Sequence, residues 1–144
     1  LASTLGTHTE DVAAIGDALD TISVRPDFMI LISPVITLGE HAHQGSVNNL
    51  LGDQPSKDLI QLYSNELQVT DHTPPAFIVH AQDDPVVPYL NSLLFFQALT
   101  EHGVVASLHI FPQGQHAIAL RNNPGDTNYW TQLCEAWLQL MGFI

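Results

Sequence analysis

Apolar and polar positions follow two rhythms along this chain, and the rhythms take turns. Residues 1–7 read as the last turns of a helix that begins before Leu1. Over 9–22, Val12, Ile15, Leu19 and Ile22 recur at helical spacing behind a Thr9 cap, with acidic residues in the first turn, and predict a second helix. Asp27 to Ser33 is a nearly unbroken apolar run that predicts a strand buried on both faces, stopped by Pro34, which has no amide to give a ladder. Residues 38–73 lose the rhythm and read as an insertion. Leu38 to Asn49 predicts a surface loop with a short helix, and Ser56 caps a helix over 57–66 with Leu59, Ile60, Leu62 and Tyr63 on its apolar face. Ala76 to Ala81 predicts a second buried strand, Gln82 to Pro88 a turn, and Tyr89 to His102 a helix with Leu90, Leu93, Leu94, Phe96 and Leu99 inward. Gly103 lies just past its end. Val104 to Phe111 predicts a third strand and Pro112 to Asn123 a loop. Thr127 to Met141 predicts a helix whose stripe is Trp130, Leu133, Cys134, Trp137, Leu138 and Met141.

Strands alternating with helices define an α/β class with about three parallel strands, because parallel neighbours need crossover connections. Three strands are few for such a sheet, and the outer two are left with open apolar edges. The expected consequence is pairing with a missing N-terminal half, or self-association through the strand at Asp27 to Ser33.

Composition changes this picture in three respects. The chain has 144 residues, about one domain's length, and 45% of them are apolar, so it folds around a core. Lys and Arg number 3 against 15 Asp and Glu, a net charge of −12 that repels phosphate backbones and anionic lipid; neither nucleic acid nor a membrane is an expected partner. The same acidity suits a secreted or periplasmic bacterial enzyme. A single cysteine, Cys134, excludes an internal disulfide and fits a small buried hydrophobe in the last helix. The chain opens on Leu1 rather than Met, so it is expected to be a processed product or part of a longer polypeptide.

Parallel sheets carry their chemistry at the carboxyl ends of strands. That rule selects Asp83-Asp84-Pro85 after the second strand and Gly114-Gln115-His116 after the third. Asp-Asp-Pro alone is an ordinary turn starter and a lone loop histidine is ordinarily just solvated. Together, at neighbouring strand ends, an acid of that turn and His116 fit nucleophilic acyl transfer, in which His is the general base and the carboxylate fixes its tautomer. A His41-x-His43 pair, with His72 or an acid as a third ligand, is a weaker metal candidate than a polar loop. No glycine pattern frames a phosphate or a dinucleotide, and no cofactor is expected.

The stretches His80 to Pro88, Asn91 to Leu94 and Leu108 to His116 resemble the C-terminal half of an α/β-hydrolase. Within that superfamily they are most similar to acetylxylan-esterase-like and feruloyl-esterase-like carbohydrate esterases, the dienelactone-hydrolase-like group. The acid pattern Gly-x-x-Asp-x-x-Val falls on Ala81 to Val87 and implies Asp84 as the acid. Gly-x-His falls on Gly114-Gln115-His116. Ala81 departs from the usual glycine, and Gln115 and Ala117 flank the histidine where glycines are common. The resemblance implies a serine nucleophile in a Gly-x-Ser-x-Gly elbow. Ser3, Ser23, Ser33, Ser46, Ser56, Ser64, Ser92 and Ser107 all lack that frame. Leu1-Ala2-Ser3-Thr4-Leu5 resembles the segment just past the elbow, which implies that the nucleophile, and the first oxyanion donor beside it, lie a few residues before Leu1. The implied whole is one α/β-hydrolase domain of which 1–144 is the C-terminal part. By that resemblance the whole is expected to hydrolyse acyl esters on carbohydrate, and the 144-residue chain alone is expected to be inactive. Two other readings remain open on the sequence: a prolyl-oligopeptidase-like peptidase, and a non-catalytic remnant or assembly module.

Overall fold

The computed structural model describes residues 1–8 and 15–144. Helix α1 (Ala2–Thr7) is followed by strand β1 (Met29–Ile32), helices α2 (Gln44–Leu51) and α3 (Lys57–Tyr63), strand β2 (Ala76–Ala81), helix α4 (Leu90–Glu101), strand β3 (Ala106–Phe111) and helix α5 (Trp130–Leu140), with 3-10 turns at Ala18–Thr21, Asn65–Leu67 and Gly125–Tyr129. The strands form one parallel sheet in the order β1-β2-β3, as the alternating pattern predicts.

Period-two alternation sorts the side chains of the sheet into two cores. Met29, Leu31, Ala76 and Ile78 meet Phe95 and Leu99 of α4 on one face. Phe77 and Val79 meet Trp130, Cys134 and Trp137 of α5 on the other. α1 lies so close on β1 that a Cβ at Gly6 would overlap the Met29 sulfur. The N-terminal segment is locked to the insertion by a buried polar cluster. Asn65 Nδ2 donates to Ser3 Oγ at 2.8 Å, and Thr7 Oγ1 donates to Asn65 Oδ1 at 3.2 Å.

The structure corrects several of these expectations. β1 is not buried on both faces: Met29 and Leu31 are buried, but Ile30 and Ile32 are each 37% exposed. They border an apolar groove of about 520 Å³ with Trp130, Cys134 and Leu138. Continuous apolarity implies double burial only where both faces are covered, and α5 leaves that face of β1 partly open.

Part of the helix predicted over 9–22 lies outside the described residues. From Ile15 onward the chain makes only the 3-10 turn, and Ile15 and Ile22 are exposed. Gly16 sits at φ +84°, and the Asp20 carboxylate accepts from the Asp17 amide at 3.0 Å, a local turn that competes with helix.

α3 has its Ser56 cap, with Leu59 N donating to Ser56 Oγ at 3.2 Å, yet none of its residues is buried, and Leu59 and Leu62 face outward. In α4 the inward side is Asn91, Ser92, Phe95 and Leu99, while Leu93 points out. The apolar stripe there is rotated because the first turn buries two polar residues that serve the loops. The stripe of α5 needs one smaller change: Trp130, Cys134 and Trp137 are buried, and Leu133 is exposed.

Candidate active site

The turn after β2 is built by Asp84 itself. Its Oδ1 accepts from the Val86 and Val87 amides, each at 2.9 Å, closing an Asx-type turn over Pro85. That leaves Oδ2 directed away from its own loop. The loop after β3 comes to meet it. Gly114 makes the approach possible, since a methyl group there would stand 3.0 Å from Ala81 Cβ and 3.1 Å from Ile118 Cγ1. The loop is then tied down along its length. Trp130 Nε1 donates to Ala119 O at 2.7 Å, Asn123 Oδ1 accepts from Ala119 N at 2.8 Å, and Thr127 Oγ1 donates to the Gln113 carbonyl.

These constraints bring His116 Nδ1 to 2.8 Å from Asp84 Oδ2, across 32 residues of sequence. The carboxylate is fully buried, whereas the imidazole is 39% exposed. A carboxylate only accepts, so Nδ1 carries the proton of this bond and Nε2 is the nitrogen left for chemistry. Burial pushes the Asp84 carboxyl upward, but the Val87 amide, His116 and the Val86 amide outweigh it and hold Asp84 below the usual carboxylate range. A buried anion bonded to a partly exposed imidazole is the arrangement that fixes a catalytic tautomer and stabilises an imidazolium.

Asp83, the neighbour on the same turn, clasps the histidine loop from outside. Its Oδ1 accepts from the Gln115 amide at 2.8 Å, and Gln115 stands at φ +50°. The doubled acid therefore divides its work: one carboxylate holds the imidazole and the other holds the backbone beside it. At this position the departure from glycine costs backbone strain, which the Asp83 bond opposes.

Sequence reasoning missed His80. This residue lies near the end of β2, is fully buried, and places Nε2 3.2 Å from Asp84 Oδ2 and 3.0 Å from Val87 O, with Nδ1 2.7 Å from Ser92 Oγ. Burial lowers its pKa despite the pull of the Val87 carbonyl and Asp84. The available signal was a histidine inside an apolar strand run, four residues ahead of the acid.

The metal candidates are not brought together. His41 offers its backbone carbonyl to Asn91 Nδ2, His43 Nδ1 lies 3.0 Å from Ser46 Oγ, and His72 is exposed beside Asp71. Among the described residues no group of three or more His, Cys, Asp or Glu side chains is arranged to hold a metal ion. Burial pushes the Cys134 thiol up, away from the thiolate a nucleophile needs. No serine among the described residues is hydrogen-bonded to His116. Ser3, Ser46, Ser64 and Ser92 bond instead to Asn65, His43, the Leu38 amide and His80.

Residues 37–141 match the model of the prolyl oligopeptidase family. Among curated proteins, endo-1,4-beta-xylanase B of Butyrivibrio fibrisolvens is 40% identical over 123 residues, covering 85% of this chain and 19% of that protein. Acetylxylan esterase of Xylanibacter ruminicola is 38% identical over 110 residues, covering 73% of this chain and 23% of that protein. Among solved structures, the acetyl ester-xyloside bifunctional hydrolase of Caldicellulosiruptor lactoaceticus superposes with a TM-score of 0.93 at 44% identity, covering 99% of this chain and 53% of that one. A carboxylesterase of Lactobacillus plantarum gives 0.75 at 28% identity, covering 99% and 55%. The chain thus spans about half of these solved relatives and about a fifth of these curated ones.

Proposed function

The chain belongs to the prolyl oligopeptidase family of α/β-hydrolase folds, and on that premise we propose that it carries the acid and the histidine of a serine-dependent carboxylic ester hydrolase acting on acylated carbohydrate. The observation that carries this reading is the 2.8 Å bond between the buried Asp84 and the partly exposed His116. His116 Nε2 takes the proton of a serine hydroxyl as that oxygen attacks the ester carbonyl. Asp84 stabilises the imidazolium, and His116 then returns the proton to the departing sugar oxygen. Water repeats the sequence on the acyl-enzyme and frees the acid. The relatives named for acetylxylan and acetyl ester-xyloside substrates support acetyl groups on a xylose-based glycan as the first substrates to try.

The serine is proposed to come from a segment preceding Leu1, since no Gly-x-Ser-x-Gly frame occurs within these 144 residues. The open side of β1 and the groove at Ile30 and Ile32 are where such a half would pair and pack, with self-association of β1 as the competing outcome. The family match raises amide cleavage as a second reading.

Kinetics on p-nitrophenyl acetate, acetylated xylo-oligosaccharides and aminoacyl amides test both. The 144-residue chain is expected to be inert. A longer polypeptide that includes the elbow is expected to cleave the esters, to react with a fluorophosphonate probe, and to prefer esters over amides. Ester hydrolysis by the 144-residue chain that disappears in His116→Ala overturns the placement of the nucleophile. A preference for amides overturns the substrate class.

A further inference from the structure

We propose that His80, backed by Ser92, is a positioning residue that fixes the Asp84 carboxylate from the side opposite His116. The inference rests on reading Asp84 and His116 as the reacting pair, and it adds a role for two residues buried beneath them.

A carboxylate has about four acceptor sites, and in a buried one any site left unfilled lowers stability. The Val86 and Val87 amides fill those of Oδ1. His116 Nδ1 fills one at Oδ2, and His80 Nε2 reaches the other at 3.2 Å. Two amides pin one oxygen only. The donor from His80 fixes the second oxygen, the one that bonds His116, and so sets where the catalytic imidazole sits.

The protonation state of His80 is dictated by its neighbours. Nε2 faces two groups that only accept, Asp84 Oδ2 and the Val87 carbonyl, so Nε2 carries a proton. Nδ1 faces the Ser92 hydroxyl at 2.7 Å, which can donate. With the ring fully buried, the neutral form satisfies every contact: Ser92 O–H donates to Nδ1, and Nε2–H is shared between Asp84 and Val87. A neutral donor is what this place requires. A second imidazolium would compete with His116 for the same carboxylate at the moment His116 becomes charged. Ser92 lies in the first turn of α4, beside Asn91, whose Oδ1 accepts from the Ile36 and Thr37 amides at 2.9 and 3.0 Å. The polar start of α4 thus anchors both the carboxylate's support and the loop after β1.

Imidazole nitrogen NMR on the 15N-labelled 144-residue chain tests this without any catalytic turnover. His80 is expected as the neutral Nε2–H tautomer at neutral pH. The His116 Nδ1 proton is expected to exchange about tenfold faster in His80→Leu and to recover in His80→Gln, whose amide nitrogen can restore the donor. Ser92→Ala keeps the ring and its Nε2 proton but leaves the buried Nδ1 without its donor; it is expected to loosen the ring and speed the same exchange several-fold, and it serves if His80→Leu does not fold. In a longer polypeptide with the serine, His80→Leu is expected to lower kcat about tenfold at unchanged KM, with His80→Gln restoring it. A proton on His80 Nδ1, or a His116 signal indifferent to His80→Leu or to Ser92→Ala, overturns the proposal. Absence of ester hydrolysis with the NMR signature intact overturns the esterase reading and leaves the positioning role standing.

Discussion

β1 and β2 are neighbouring parallel strands of similar composition, paired in register with Ile30 beside Phe77 and Ile32 beside Val79, yet they are in opposite physical states. β2 is buried at every position and ends in a turn whose carboxylate has all its acceptor sites filled. β1 is buried at alternate positions, and its other side chains border an open groove. The acid–histidine unit is therefore self-contained, with its donors, clasp and loop anchors all supplied from β2, α4, β3, α5 and the loops between them. The face of β1 that carries Ile30 and Ile32 is partly open.

The most severe test of this contrast is at the carboxylate. Asp84→Asn is expected to lower ester hydrolysis by about 10⁴ in a polypeptide containing the nucleophile, because the amide can present a donor to His116 Nδ1 and turn the ring to the wrong tautomer. Steady-state kinetics on p-nitrophenyl acetate reads this. Next in size is the register pair. Phe77→Ala is expected to cost about 3–5 kcal/mol in urea unfolding of the 144-residue chain, since its ring is fully buried against Trp137. Ile30→Ala, on the same face one strand away, is expected to cost about 1 kcal/mol or less there, and about 2–5 kcal/mol once the groove is covered by a partner segment. Equal costs for Ile30→Ala in the two settings would remove β1 as a docking edge.

Smaller effects come from titration and from the clasp. His80 and His109 both have pKa values lowered by burial, so the unfolded chain binds protons first. Their contribution to stability is complete above the ordinary histidine value near ~6.5 and is lost as pH falls below it. Asp84, held low in the fold, adds a second loss as pH falls below about 4. Thermal melts across pH are expected to show a first decline starting near ~6.5, reduced in His109→Phe, and a second below about 4. Asp83→Ala is expected to raise amide exchange at Gln115 by roughly fivefold, the equivalent of one exposed hydrogen bond of about 1 kcal/mol, with little change in unfolding free energy.

Much of the fold and the pair at its centre could be read from residue order. β2, the 82–88 turn, α4 with Gly103 at φ +71°, β3 and α5 all lie where the pattern puts them. Asp84 and His116 could be found because parallel sheets bring neighbouring strand ends together. His80 escaped because a histidine in an apolar run gives no local sign of what it faces; Ser92 becomes its partner only when α4 packs on β2. The inward side of α4 escaped for the same reason. Asn91 and Ser92 are polar by composition and buried by tertiary contact, so a hydrophobic stripe drawn without them is rotated.

Residue order alone was enough for the α/β alternation, the parallel sheet and the two loops that hold an acid and a histidine, because periodicity, proline and glycine act over a few residues. Three outcomes waited for the folded chain: which oxygen of Asp84 meets His116, that a second imidazole fills the remaining acceptor site, and that β1 is half uncovered. Each depends on which groups occupy the same few ångströms after the chain has crossed the sheet, and local rules carry no information about that.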